Sequence, residues 1–267
     1  MGVYGDLLRY RELFGSLFRR DLRAKYKGSV LGLAWTLALP VALMLVYLVV
    51  FAVLWNAQPT DALDDYWLFL LCGLPPWVFF ATSLQNGARS LVENAPIIRK
   101  VRFPRQLVPL ATVATEVVAF AAMTAIVLGL ALWFRPESRD VAWLAIPVAA
   151  VVVIFTAGLA LFAASLNAIF RDVEFIISAV LLPWFFLTPI LYQLDDLPGA
   201  ESHPWLVDLI HWGNPMTPAV ETYRAPLYAG ELPPAADTLY LCVAAFVALA
   251  VGAFTFSAVD DRIASEA

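Results

Sequence analysis

The sequence predicts an all-α integral membrane protein, one transmembrane domain running over 1–267, and three observations predict it. The chain is 61% hydrophobic and only 15% charged, with a mean hydropathy of +0.76; soluble domains carry about 25% charged residues. Its apolar residues gather in runs long enough to cross a bilayer, which takes about twenty of them. Its basic residues stand almost entirely on alternate connections between those runs. One soluble core is excluded by this composition. The net charge of −5 and the placing of Lys and Arg beside apolar runs give no footing for a nucleic-acid partner. Cys72 and Cys242 lie inside apolar runs and read as small packing residues, with no disulfide framework or metal-type Cys/His spacing.

The first element is an amphipathic helix over 5–25. Leu7, Tyr10, Leu13, Phe14, Leu17 and Phe18 fall on one face, and Arg9, Arg11, Glu12, Arg19 and Arg20 largely on the other. That pattern describes a helix lying in the membrane surface. It runs through Asp21 into the basic collar Lys25-Tyr26-Lys27, directly ahead of a long uncharged run. Six spans follow, at 30–55, 67–88, 107–134, 142–169, 173–192 and 238–259, a bundle over 30–259. Pro75-Pro76 interrupts the second and Pro183 and Pro189 the fifth. Proline removes a backbone donor, so such spans need neighbours that re-satisfy the freed carbonyls. The first apolar run starts too late and is too long for a cleavable signal peptide.

Lys and Arg stay on the cytoplasmic side. Residues 1–29 hold seven and residues 89–105 five; Arg171 and Arg262 fall on the same side, while only Arg135, Arg139 and Arg224 fall on the other. Both termini are therefore expected in the cytoplasm. The outer connections are acidic, with Asp61, Asp64, Asp65, Asp195, Asp196, Glu201 and Asp208. His203 and His211, eight residues apart on that side, read as surface packing.

The second basic segment, VENAPIIRKVRFPRQLVPL, interleaves Ile97, Ile98, Val101 and Phe103 with Arg99, Lys100, Arg102 and Arg105. A loop that only sets topology needs the charges but not the apolar residues. Their spacing predicts a short helix that packs into something, with Asn94 as its cap, Pro96 early in it and Pro104 ending it. Glu116 sits eleven residues beyond Arg105, about 16 Å along a helix at 1.5 Å per residue, near mid-membrane. A carboxylate there is costly and faces the bundle interior or a watery path, so a polar partner in another span, Thr or Asn, is expected. Between the fifth and sixth spans, 193–236 is long for a plain connection. Trp205, Leu206, Leu209, Ile210 and Trp212 form an apolar cluster, Asn214-Pro215 breaks it, and a second stretch runs through Val220, Tyr223 and Leu227. This predicts two short helices that bury those groups.

Four segments in order resemble the polysaccharide and polyol-phosphate exporter permeases of the type 2 ABC class. They are Arg20-Asp21-Leu22 leading into Lys25 through Gly32 and Trp35; Asn94 through Ile98 with Lys100-Val101 and Phe103-Pro104-Arg105; Arg171-Asp172-Val173 with Trp184-Phe185-Phe186 and Thr188-Pro189-Ile190; and Asn214-Pro215, Thr217 and Tyr223-Arg224. The resemblance spans about 12–228. It implies a half-transporter of the bacterial inner membrane, working as a homodimer with two copies of a cytoplasmic ATPase subunit and exporting a lipid-linked polysaccharide. ATP and Mg would bind to that partner; this chain lacks a G-x-x-x-x-G-K-[ST] loop and binds no cofactor of its own.

The resemblance further implies a coupling helix at Glu93–Arg105 that docks into the ATPase, and a pair of re-entrant gate helices at the outer mouth holding Trp205, Trp212, Asn214, Pro215, Tyr223 and Arg224. A path for sugars must hold them weakly at many points, and aromatic faces do so. Trp35, Tyr47, Trp77, Phe79, Phe80, Trp184 and Phe185, with Glu116, are the residues expected along it. The competing readings are an exporter of small lipophilic compounds and an intramembrane glycosyl- or acyltransferase, which should show Asp/His/Arg clusters at one membrane face.

Overall fold

The computed structural model describes residues 9–25, 65–98, 100, 103–194, 196–197 and 199–266, with residues 38, 41–42, 45–46 and 49; over 261–266 it describes backbone only. Apolar runs with few polar side chains fold as helices, because in lipid a helix is the form that satisfies its own backbone donors. In chain order these are α1 (Arg11–Lys25), α2 (Tyr66–Glu93), α3 (Leu107–Phe134), α4 (Ala145–Ile169), α5 (Val173–Leu187), α6 (Pro204–Gly213), α7 (Met216–Arg224) and α8 (Ala235–Glu266). Short turns join them, among them Ala95–Ile98 after α2, Ala142–Leu144 before α4 and the wide turn Ala225–Ala229 after α7.

Four stretches are long and apolar enough to cross a membrane: Tyr66–Glu93, Leu107–Phe134, Ala142–Ile169 and Ala235–Asp260. At 28 residues the first three reach about 42 Å, more than the ~30 Å hydrocarbon core. The fifth expected span is corrected. It was read over 173–192, but α5 has 15 residues and stops at Leu187, about 22 Å long. Thr188 leaves the helical region and Pro189 cannot rejoin it. The first expected span, 30–55, lies outside the described residues except for six scattered positions.

α2 is the central helix. It packs against α3, α4, α5 and α7, and Leu68, Phe69, Cys72, Phe80 and Ala88 on it are fully enclosed. It stays helical through Pro75-Pro76. The carbonyls those prolines leave without a donor, of Leu71 and Cys72, sit in its most buried stretch. α4 and α8 approach at glycine: a methyl group on Gly158 would collide with the backbone of Ala248 and Leu249, and one on Gly252 with the carbonyl of Gly158. Small residues at such a crossing let two backbones meet in a membrane. The outward faces carry exposed Trp133, Phe175, Ile176, Phe246 and Phe254, a surface suited to lipid or to another chain. Cys72 is the packing residue expected, whereas Cys242 is exposed.

The apolar face of α1 rests on protein. Leu17 is buried, and Tyr10, Leu13 and Phe14 pack on the base of the bundle around Leu91, Ile98, Leu107, Val108 and Phe256. The antiparallel run of α2, α3, α4 and α5 therefore defines two ends, one beside α1 and a far end that holds α6 and α7.

Candidate functional site

Polar side chains collect at both ends of α2. At the α1 end, Arg20 donates through Nε and an Nη to Asp21 at 2.8 and 2.6 Å, and the same Nη reaches Oδ1 of Asn94 at 2.7 Å. Asn94 closes α2 by donating to the carbonyl of Ser90. Asn94 stands at the expected cap position of the turn that follows, its carbonyl accepting from the amides of Ile97 and Ile98, but its side-chain oxygen is taken by Arg20 and does not cap. One turn further along, Lys25 Nζ lies 2.8 Å from both oxygens of Glu116. Asn86 of α2 donates to the same carboxylate at 3.0 Å. Glu116 is 5% exposed and is thus held by two donors from different elements. The amide partner is of the expected kind. Glu116 stands nine residues into α3, and its partner Lys25 is the last residue of α1. Asn167 ties the base of α4 to its neighbours, donating to the carbonyl of Ala88 and accepting from the amide of Glu174.

The segment after α2 is only partly the expected helix. It forms the single turn Ala95–Ile98. Ile98 is 7% exposed and Phe103 partly buried, both packed on the bundle, while Ile97 at 38% and Lys100 stand outside. Arg105 is turned inward, bonded to the carbonyl and carboxylate of Asp260 on α8 at 2.6 and 2.9 Å. Glu93 ends α2 at the surface of this corner. Arg99, Val101 and Arg102 lie outside the described residues, as do Tyr26, Lys27, Trp35 and Tyr47.

The aromatic residues expected along a path divide. Phe80 is fully buried, stacked on Phe155 and edge-on to Trp184, and Phe79 stacks on Phe120. Both are core residues, a correction whose physical reason is that a ring on the enclosed face of the central helix has no open side. Trp77 and Phe185, with ring centres 5.6 Å apart, are also buried, at 6% and 8% exposed, and only their rims reach an open groove of about 380 Å³ between α2 and α5. Thr82, Gln85 and Ser178 also line it, and Gln85 donates to the Ser178 hydroxyl at 2.8 Å across it.

At the far end, Asn214 joins α5 to the turn between α6 and α7. Its Oδ1 accepts from Trp184 Nε1 at 2.7 Å and from the Met216 amide at 3.0 Å, and its Nδ2 donates to the Thr188 hydroxyl at 3.0 Å. Pro215 starts the next helix. Arg224 is buried, with one Nη donating to the carbonyls of Pro189 and Ile190 at 2.9 and 3.1 Å and its guanidinium carbon 3.7 Å from the centre of the Phe69 ring. Glycine at position 73 leaves room for that guanidinium, which a methyl group there would have to displace. Tyr223 is enclosed and donates to Thr124 of α3.

The two short helices expected in 193–236 are α6 and α7, but they differ. α7 is buried along almost its whole length, whereas α6 has no buried residue and exposes Trp205 at 64% and Trp212 at 42%. His211 is corrected from a surface packing residue. Its Nε2 is 2.9 Å from Asp237 and its Nδ1 3.6 Å from Glu221. His203 is exposed.

Sequence reasoning picked out Glu116, Trp184, Asn214 and Arg224 singly. It missed the lysine that pairs with Glu116 and the His211 cluster, because partners 91 and 26 residues apart leave no mark in a single chain.

Residues 12–228 match the ABC-2 type transporter family. The chain is 33% identical to the O-antigen export system permease protein RfbA of Myxococcus xanthus over 262 residues, 97% of this chain and 96% of that one. It is 32% identical to the protein of the same name from Klebsiella pneumoniae, covering 95% and 94% of the two chains. It is 23% identical to the polysialic acid transport protein KpsM of Escherichia coli, covering 89% of each.

Proposed function

The chain belongs to the ABC-2 type transporter family, and from that premise we propose that it carries a lipid-linked polysaccharide of O-antigen, galactan, teichoic acid or capsule type out of the cytoplasm. It is the permease subunit of an ATP-driven polysaccharide exporter, a transporter component and not an enzyme, and a multi-pass protein of the inner membrane. It works with an ATPase subunit. The observation that carries the polysaccharide reading is the length of the likeness: it runs through 97% of the chain and 96% of a permease for O-antigen.

The finer reading is of two permease chains and two ATPase subunits, the latter binding ATP and magnesium, with six spans per chain, α5 being a short one, and both termini in the cytoplasm. α1 lies at the cytoplasmic surface, and Glu93, Asn94, Ile97 and Lys100 present the coupling corner to the ATPase. The exposure of Ile97 and Lys100 supports this, since among the described residues the bundle leaves both uncovered. α6 and α7 form the outer gate. The second copy meets the chain across α5, whose Phe175, Ile176, Val180, Leu182 and Phe186 are all exposed. The polymer passes the groove of Trp77, Thr82, Gln85, Ser178 and Phe185, where ring rims give an apolar edge and the amide and hydroxyl meet sugar hydroxyls. Movement of the ATPase favours one of two arrangements of the permease only as far as its contacts differ between them.

Deleting the gene and following the polymer tests the reading. The expected outcome is a lipid-linked polymer accumulating in the cytoplasm and missing from the surface, restored by the wild-type gene. An unchanged surface polymer with no accumulating intermediate rejects it.

A further inference from the structure

Three elements bring a metal-type donor set together at the far end: His211 from α6, Glu221 from α7 and Asp237 from the first turn of α8. One imidazole nitrogen and one oxygen of each carboxylate all lie within 4.8 Å of one another. We propose that these residues bind a divalent transition-metal cation, zinc foremost, which fastens both short helices to the start of α8.

The distances fit such a role. Two ligands at ~2.1 Å from a metal stand about 3.0 Å apart at a right angle and about 3.4 Å apart in a tetrahedron. His211 Nε2 and Asp237 Oδ1 are 2.9 Å apart, a hydrogen-bonded contact close to the right-angle spacing, which a tetrahedral zinc would widen by about half an ångström. Glu221 lies against the other ring nitrogen, 3.6 Å from Nδ1, and on metal binding its carboxylate would turn towards the Nε2 side to join the set. One imidazole with two carboxylates is a borderline donor set, suited to zinc or manganese above magnesium or calcium, which prefer oxygen alone.

Charge points the same way. Asp237 is 5% exposed, a carboxylate withdrawn from water beside a second one. With the imidazole neutral the three residues carry two negative charges, and with it protonated they carry one; a divalent cation bound to the neutral imidazole balances both carboxylates. A cavity of about 540 Å³ opens beside the cluster, lined by His211, Glu221, Asp208 and Arg224, and supplies the entry path and room for water as the remaining ligand. Of the other charges there, Asp208 adds attraction. Arg224 opposes it, but donates through Nη2 to the carbonyls of Pro189 and Ile190. Trp212 packs edge-on to the His211 ring at 4.5 Å and limits its rotation. The site is independent of what the channel carries, so its test and that of the export reading fail separately.

The test uses the permease with its ATPase, purified without a histidine tag, stripped with a chelator and titrated with zinc chloride by calorimetry. One zinc per permease chain is expected, with weaker manganese binding and none of magnesium or calcium. His211→Ala and Asp237→Asn should each weaken zinc binding by at least about tenfold, and Glu221→Gln, the mildest change, should do so without loss of the folded complex. His203→Ala should bind as the wild type does. No binding by the wild type, or equal binding by His211→Ala, overturns the proposal. So does a thermal midpoint that falls in His211→Ala while zinc and chelator leave the wild type unmoved, the mark of an ion cluster without a metal.

Discussion

At the α1 end, Glu116 is held by a lysine whose side chain remains one-third exposed, and by one amide. At the far end, Arg224 is enclosed, bonded to two backbone carbonyls and laid on a phenylalanine ring over a glycine. Both are buried charges, but the partners differ in kind. An ion pair with one partly solvated member can part and let water take over each half. A guanidinium fixed by carbonyls has partners that move only with the main chain, and its planar fork suits that geometry. The pair at the α1 end is thus held by contacts that water can replace, and Arg224 by contacts that only a movement of the main chain can undo.

The strongest way to break this comparison is Arg224→Met. It leaves the carbonyls of Pro189 and Ile190 without their donor, and charged hydrogen bonds are worth about 1.5–3 kcal/mol each. A loss of about 3 kcal/mol or more is expected, read as a lowered thermal midpoint of the purified permease by tryptophan fluorescence. Arg224→Lys should not restore it, because a lysine has neither the fork nor the flat face. A change below about 1 kcal/mol would mean that the far end is not locked by this residue.

The next effect is smaller and has an internal check. Lys25→Met should cost about 3 kcal/mol by leaving a carboxylate buried without its cation, while Lys25→Met with Glu116→Gln should recover most of it. Thermal unfolding of the two single variants and the double variant gives the coupling energy. Additive losses would show that the pair does not act as a unit, and the contrast between the ends would fail there.

Much of this fold was legible in the sequence because a bilayer asks for long apolar runs, and α2, α3, α4 and α8 occupy the runs read for them. α5 was read too long, since hydropathy does not register a chain that stays apolar while Thr188-Pro189 stops its helix. Arg224 illustrates the harder loss. Counted by charge, it was one of three basic residues on the outer side; in the structure it is a core residue, visible only once Gly73, Phe69 and Ile190 surround it. Phe80 and Trp77 lie three residues apart on one helix, yet one is enclosed and the other edges a groove. Composition places aromatics in a span but does not say which side of it has a neighbour.

The smallest expected effect on stability sharpens the comparison most at the α1 end. Ile97 and Ile98 are adjacent and chemically identical, but Ile98 packs under α1 with Leu17 and Leu107 while Ile97 is exposed. Ile98→Ala removes buried methylene groups and should destabilise the permease by about 2 kcal/mol. Ile97→Ser removes none and should change stability by less than about 0.5 kcal/mol. If the corner after α2 is where the ATPase docks, Ile97→Ser should nonetheless lower permease-dependent ATP hydrolysis several-fold, because an apolar residue the bundle leaves outside would otherwise be covered by the partner. The two readouts, thermal midpoint and ATPase rate in the reconstituted complex, must then move oppositely for the two neighbours. A normal ATPase rate and normal export in Ile97→Ser would leave Ile98 as a packing residue and remove this corner from the transmission of force.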